Sequence, residues 1–296
     1  MCLAPPLIDL ISMENSTISR QNENRGTLYM YDTLPSENVF GHAKKVRLIR
    51  SSIDRMRHEK GHQGLRILDI GCGSGYAVTR FLGRIGDNVL GIDMYPPNIH
   101  YAATHFVKEG LSFICMDAPS FSGIGKLFDV VVMADVLEHL ADPSTMLKNA
   151  VELLAPSGRL LVTVPNGRGP FEIESAIGRV PFVGPTLLKL TDIFVASLNK
   201  SILKGMWSRA ISVLPNDLPY NKDSGHLQFF SRSGLIELMN SKGLEVVRFH
   251  NLSFLSGPFT NYILSPWRAF CLWNARISEH LPPWLSSAWF LECRKV

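Results

Sequence analysis

Residues 66–75 read Arg66-Ile67-Leu68-Asp69-Ile70-Gly71-Cys72-Gly73-Ser74-Gly75, a short apolar run that ends in three alternating glycines. An unbroken apolar run of this length suits a strand covered on both faces, as in a parallel sheet. Glycines directly after it permit positive φ and let bare backbone approach a ligand. A helical stretch is expected from Tyr76 to about Ile85, and Asn88–Asp93 forms a second strand that ends in an acid. Further apolar runs occupy Ser112–Met116, Phe128–Ala134 and Arg159–Val164, with helical segments around 97–109 and 142–154 between them. Strands alternating with helices, joined by right-handed crossovers, give a doubly wound α/β sheet. Ligands of such a sheet bind beyond the carboxyl ends of its strands.

The glycine spacing narrows the ligand. A dinucleotide turn follows GxGxxG, whereas this one is GxGxG with Tyr76 at the third glycine position, which counts against NAD. Asp93 closes the second strand about twenty residues after the turn, where a carboxylate can accept from both hydroxyls of a ribose. Asp117, after the third apolar run, is placed to accept from an adenine amino group. Each is otherwise an ordinary loop aspartate.

Taken together, these stretches resemble class I S-adenosylmethionine-dependent methyltransferases. Residues 67–75 resemble motif I of that superfamily. Phe128-Asp129-Val130-Val131-Val132-Met133-Ala134-Asp135-Val136-Leu137-Glu138-His139-Leu140 resembles the fourth-strand motif of its ubiquinone-biosynthesis-type (methyltransferase type 11/23) subgroup, and 153–160 and 226–231 resemble later segments. The resemblance implies a Rossmann-like seven-stranded sheet of order 3-2-1-4-5-7-6 with strand 7 antiparallel, supplied by the run Ser287–Arg294. It implies S-adenosyl-L-methionine as cofactor. Asp69 would serve its methionine amino group, and Gly71, Cys72, Gly73 and Gly75 would line methionine and ribose. Asp93 and Met94 would meet the ribose, Asp117 and Ala118 the adenine, and Ala134 and Asp135 the methionine end.

Outside the motifs, residues 1–36 form an N-terminal arm and 37–296 the catalytic domain, with 167–225 an inserted acceptor lid and 252–286 an aromatic-rich segment. Between Glu37 and His58, apolar residues at helical spacing are flanked by Lys44, Lys45, Arg47, Arg50, Arg55 and Arg57. The helix lacks the interleaved aromatics that RNA stacking uses, so a solvated face is preferred to a nucleic-acid site. Five scattered cysteines with no CxxC exclude a zinc ribbon and a disulfide framework, which favours a reducing, cytoplasmic setting. No apolar run is long enough to span a bilayer.

The lid is expected to hold one helix, about Pro185 to Met206, with Leu187, Leu190, Phe194, Leu198 and Ile202 on one side. Such a helix either packs on the domain or lies on an anionic bilayer, and Trp267, Phe270 and Trp273 suit the same boundary. A small lipophilic or lipid-linked acceptor methylated at oxygen follows, with His139 and His226 as candidate bases. No metal is expected: Asp135 and Asn166 fall where catechol-type relatives hold one, but the middle acid is missing. The alternatives are an RNA methyltransferase using the basic helix and a non-catalytic cofactor-binding protein.

Overall fold

A computed structural model describes residues 33–61, 64–117, 127–200, 217–219 and 225–296. Seven strands, β1 (Arg66–Ile70), β2 (Asn88–Asp93), β3 (Leu111–Cys115), β4 (Phe128–Ala134), β5 (Leu154–Pro165), β6 (Leu244–Ser253) and β7 (Ala288–Lys295), form one sheet. Their order is β3-β2-β1-β4-β5-β7-β6, and β7 runs antiparallel to both of its neighbours, as the resemblance implies.

Each face of the sheet carries its own core. On one side lie α1 (His42–Glu59) and α2 (Pro96–Phe106), which bury Ile49, Ile53, Tyr101 and Phe106 against Ile67, Val89 and Val130. On the other lie α3 (Pro143–Leu153) and α6 (Arg232–Asn240), whose Leu147, Ala150, Leu235 and Met239 pack on Leu68, Val131 and Leu160. Burial on both faces is why the inner strands read as unbroken apolar runs. Asp142 caps α3 by accepting from Ser144 N and Thr145 N, and Ser231 caps α6 by accepting from Gly234 N. Caps of this kind are worth about 1 kcal/mol each.

Three expectations need correction. Tyr76–Ile85 is not a helix but a series of turns with a single 3-10 turn at Thr79–Phe81. Thr79 is drawn down onto buried Asp69, its hydroxyl donating at 2.7 Å, and the Arg80 guanidinium stacks over the Tyr76 ring at 4.0 Å. These tertiary ties outweigh the propensity of a ten-residue segment too short to repay helix nucleation. Among its described residues the inserted segment holds two helices where one was expected, α4 (Pro170–Arg179) and α5 (Val183–Lys200), and the expected continuation to Met206 lies outside the described residues. Leu190 and Phe194, on the supposed inner stripe of α5, are exposed.

The third concerns the basic helix. It begins at His42 rather than Glu37, because Gly41 turns the chain at φ 71° where a Cβ would lie 2.7 Å from the Leu252 carbonyl oxygen. Its cations serve the protein itself. Lys44 is fully buried and donates to Ala275 O at 2.7 Å and Ser278 Oγ at 2.9 Å. Arg57 grips Asp87 with two bonds of 2.6 Å, Arg55 pairs with Glu292, and Lys45 pairs with Asp135. A polyanion would have to displace these partners. The RNA reading loses its basis.

After α6 and β6, the chain folds into α7 (Pro258–Leu264) and α8 (Arg268–Ile277) before returning as β7. Residues 1–32 of the expected arm and Ala118 lie outside the described residues. Among the described residues, no helix is long and apolar enough to cross a membrane.

Candidate active site

The three glycines after β1 all take positive φ, at 68°, 55° and 69°. Two are also sterically required: a Cβ at Gly71 would meet the Val136 side chain at 2.7 Å, and one at Gly75 the Phe113 ring at 2.8 Å. The elbow is closed by Asp93, whose Oδ2 accepts from Gly73 N at 2.9 Å. Its Oδ1 accepts from Tyr95 N at 2.8 Å and Asn98 Nδ2 at 3.3 Å. A carboxylate offers about four acceptor positions, so Asp93 ties down the elbow and still has capacity for a ribose hydroxyl. Met94 projects beside it, 73% exposed, and Asp117 is exposed at the end of β3. The Cys72 thiol is buried, and burial pushes its pKa well above the usual value, which makes it a wall of the elbow rather than a nucleophile.

Asp135 follows β4 at φ 58°, a backbone conformation unusual for a non-glycine residue. Desolvation opposes its charge, but the Lys45 ammonium and the Thr163 hydroxyl (2.6 Å) outweigh that and hold its pKa below the usual carboxylate value. One turn before Lys45, burial and the neighbouring ammonium lower His42 to about 4, so that imidazole is neutral.

A cleft of about 190 Å³ opens beside this pair, lined by Phe40, Lys45, Asp135, Glu138, His139, Phe171 and His226 among others. It brings the two histidines together, with ring centroids 5.1 Å apart. His139 Nδ1 lies 3.1 Å from Gly225 O, and His226 Nδ1 lies 2.7 Å from Glu172 Oε1. A carbonyl and a carboxylate only accept. Each ring therefore carries a proton on Nδ1, and Nε2 is its remaining nitrogen. Glu138 is 1% exposed and its Oε2 has no hydrogen-bond partner among the described residues. Burial first, and Asp135 second, raise its pKa well above the usual value. Its backbone carbonyl accepts from Leu227 N at 2.7 Å and Gln228 N at 3.0 Å, which anchors the segment bearing His226.

A family model described as a methyltransferase domain matches residues 40–248. The chain belongs to that family. It is a class I S-adenosylmethionine-dependent methyltransferase domain. A ubiquinone biosynthesis O-methyltransferase of Cereibacter sphaeroides is 39% identical over 117 residues, 39% of this chain and 47% of that protein. The methyltransferase thus spans about half the length of the first relatives it matches. A protein of the same name from Coxiella burnetii is 25% identical over 224 residues, covering 74% of this chain and 88% of its own. Among solved structures, magnesium protoporphyrin IX methyltransferase of Synechocystis with bound SAH aligns over 86% of this chain and 87% of its own, at 15% identity and a TM-score of 0.45. The plantazolicin methyltransferase BpumL, in complex with SAH and a monoazolic analogue, aligns over 85% and 84% at 17% identity and a TM-score of 0.47.

Sequence reasoning about the methyltransferase missed Lys45, Phe40 and Phe171, which come to the cleft from outside the motifs, and Glu172, which holds His226 there. Glu138 stood beside His139 in a quoted motif and carried a usable signal: an acid inside an apolar run. The catechol-type metal arrangement is not formed. Asn166 donates to Trp284 O and Ser286 O and accepts from Arg168 N, and Asp135 is paired with Lys45. A different set is gathered instead: one ligand atom each of Glu138, His139 and His226, all within 4.8 Å of one another.

Below the elbow, Asp69 is buried and its carboxyl is pushed up to about 7 by burial, with the Thr79 hydroxyl opposing. Its unfolded value is 3.8. Between these values the folded chain holds a proton that the unfolded chain has released, so stability falls as pH rises from about 4 to 7 and levels off above. Asp69→Asn should remove this component. Denaturation midpoints at pH 5 and pH 8 should therefore lie closer together in the variant than in wild type; an equal spacing would show that Asp69 is ionised throughout.

Proposed function

We propose that this methyltransferase transfers the methyl group of S-adenosylmethionine to an oxygen of a small lipophilic or lipid-linked acceptor. The convergence of two imidazoles and a buried carboxylate in an aromatic-walled cleft beside Asp135 carries this reading. The name of the relatives, ubiquinone biosynthesis O-methyltransferase, supports oxygen as the accepting atom and a ubiquinone precursor as the first acceptor to try.

The cofactor's sulfonium makes the transfer favourable by itself. The chain's contribution is to hold acceptor oxygen, methyl and sulfur in line and to take the hydroxyl proton. Asp93 and the glycine elbow fix the adenosyl end, Ala134 and Asp135 border the methionine end, and Asp69, buried below the elbow, serves the amino group through water or backbone. Phe40 and Phe171, ring centroids 6.3 Å apart, offer faces for a planar acceptor. His139 or His226 receives the proton on Nε2, and the partner on Nδ1 fixes the tautomer that leaves Nε2 free to accept it. Turnover of a phenolic acceptor with S-adenosylmethionine, followed as S-adenosylhomocysteine release, tests the reading; no turnover with oxygen acceptors while a nitrogen acceptor reacts would overturn it.

A second reading is favoured by the buried Glu138 carboxyl, whose Oε2 has no hydrogen-bond partner among the described residues and whose Oε1 lies 3.9 Å from His139 Nε2. A divalent cation fits Glu138 and His139. When bound, it would supply Lewis-acid chemistry that lowers the pKa of the acceptor hydroxyl. Dialysis against a chelator separates the two: full activity afterwards leaves the imidazoles as bases, whereas loss restored by a metal salt assigns the cation.

For a lipid-borne acceptor the outer surface matters. Phe182, at φ 66° between α4 and α5, is 88% exposed, and Ile193 and Phe194 on α5 are exposed, as are Arg179 and Lys189, within ten residues of Phe182 in the chain. Burying one such side chain is worth about 1.5–3 kcal/mol. The double variant Phe182→Ser/Ile193→Ser should therefore float with anionic phosphatidylglycerol vesicles at least about tenfold less than wild type. Absence of wild-type flotation would remove the membrane contact from this reading.

A further inference from the structure

We propose that Ser256 is the residue with which the cleft selects its acceptor, its hydroxyl binding a second oxygen of the acceptor apart from the one that is methylated. This assignment rests on the acceptor reading of the cleft and goes beyond it, naming a specificity residue outside every motif of the sequence and the group that it reads.

Two serines line the cleft, Ser256 and Ser287, and both are buried. The Ser287 hydroxyl is engaged within the protein, donating to Phe254 O at 2.6 Å. The Ser256 hydroxyl makes no hydrogen bond to a described residue, and the 2% of surface that Ser256 keeps opens on the cleft. A hydroxyl taken out of water without a partner is unfavourable, so a bound acceptor that displaces water here must supply one. The cations and imidazoles of the lining are already held, Lys45 by Asp135 and each histidine through Nδ1. A neutral hydroxyl both donates and accepts, which suits a carbonyl, ether or hydroxyl oxygen.

The backbone around Ser256 is fixed on both sides. Asn274, fully buried on α8, donates to Leu255 O at 2.7 Å and accepts from Leu255 N at 2.8 Å, which ties down both polar groups of the residue before it. The same side-chain amide donates to Val39 O at 2.9 Å, one residue before Phe40. One buried asparagine thus registers the aromatic wall and the hydroxyl against each other. After Ser256, Glu174 of α4 accepts from Phe259 N at 3.1 Å, from Thr260 N at 3.0 Å and from the Thr260 hydroxyl. Glu174 lies three residues after Phe171, so the helix that brings the Phe171 ring to the cleft is fastened to the turn that carries Ser256. A polar group held by locked neighbours loses little freedom when it binds. A site built to hydrogen-bond one substrate atom discriminates against analogues that lack it.

Calorimetry on the full chain saturated with S-adenosylhomocysteine provides the test, with two phenols of near-equal shape, 4-hydroxyacetophenone and 4-ethylphenol, which differ by one carbonyl oxygen. Wild type should bind 4-hydroxyacetophenone the more tightly. In Ser256→Ala the ratio of the two affinities should fall about fivefold, the worth of one neutral hydrogen bond, with S-adenosylhomocysteine affinity unchanged as the check of fold. The substitution removes no bond within the protein; should it nonetheless fail to fold, Ser256→Gly carries the same comparison. An unchanged ratio in the variant, or a wild-type preference for 4-ethylphenol, overturns the role of Ser256 and leaves the acceptor reading standing. Failure of wild type to bind either phenol overturns the acceptor reading of the cleft, and the role of Ser256 with it.

Discussion

Replacing Asp93 with alanine is expected to weaken S-adenosylmethionine binding about 100-fold. The carboxylate holds the elbow through Gly73 N and Tyr95 N and is placed to accept from the ribose. Hydrogen bonds to a charged group are worth about 1.5–3 kcal/mol each, and a net loss near 3 kcal/mol corresponds to about two orders of magnitude in affinity. Some of that loss is local: Gly73 at φ 55° has no other acceptor assigned to its amide and will relax. Asp93→Asn keeps one acceptor oxygen and should lie between, with an affinity about tenfold below wild type. Calorimetry with S-adenosylmethionine and S-adenosylhomocysteine measures both. Wild-type affinity in the alanine variant would mean that the carboxylate serves the turn alone and that the ribose is held elsewhere.

Glu138→Gln is expected to do the opposite kind of damage, sparing cofactor affinity while lowering turnover by about 10²-fold or more, because Glu138 Oε1 lies 3.9 Å from Nε2 of the candidate base His139. The substitution is nearly isosteric, and it replaces a buried carboxyl whose Oε2 has no partner. The variant should therefore be at least as stable as wild type, because a buried polar group without a partner destabilises the fold that contains it, ionised or not. A stable, cofactor-binding and nearly inactive protein is the signature. Wild-type turnover in Glu138→Gln would show that the acceptor does not approach this carboxylate, and the cleft would have to be reassigned.

The glycine elbow and the acid that closes it were legible in the sequence, and the surroundings of His226 were not. Gly71, Gly73, Gly75 and Asp93 lie within one strand–turn–strand unit, and Asp93 reaches Gly73 across adjacent parallel strands. Asp135, Glu138 and His139 were visible for the same reason, since a strand end and the turn after it are a local pattern. Lys45 meets Asp135 from 90 residues away, and Glu172 meets His226 from 54. Neither pair leaves a trace in residue spacing.

The Tyr76–Ile85 segment marks the limit from the other side. Its helical periodicity is real, yet Thr79 bonds to Asp69 and Arg80 stacks on Tyr76 in turns instead. The basic α1 shows the same override, its cations drawn onto Asp87, Glu292 and Asp135 rather than left to solvent. The strands, the glycine elbow and the acid that ends β2 follow from short-range rules, because φ/ψ preferences and apolar periodicity act over a few consecutive residues; the order of the strands is what the resemblance implies. The pairing of the two histidines, their carboxylate and carbonyl partners, and the unpartnered Oε2 of Glu138 depend on how an insertion settles against a finished sheet. That is decided by packing between segments far apart in the chain, and only the folded molecule contains it.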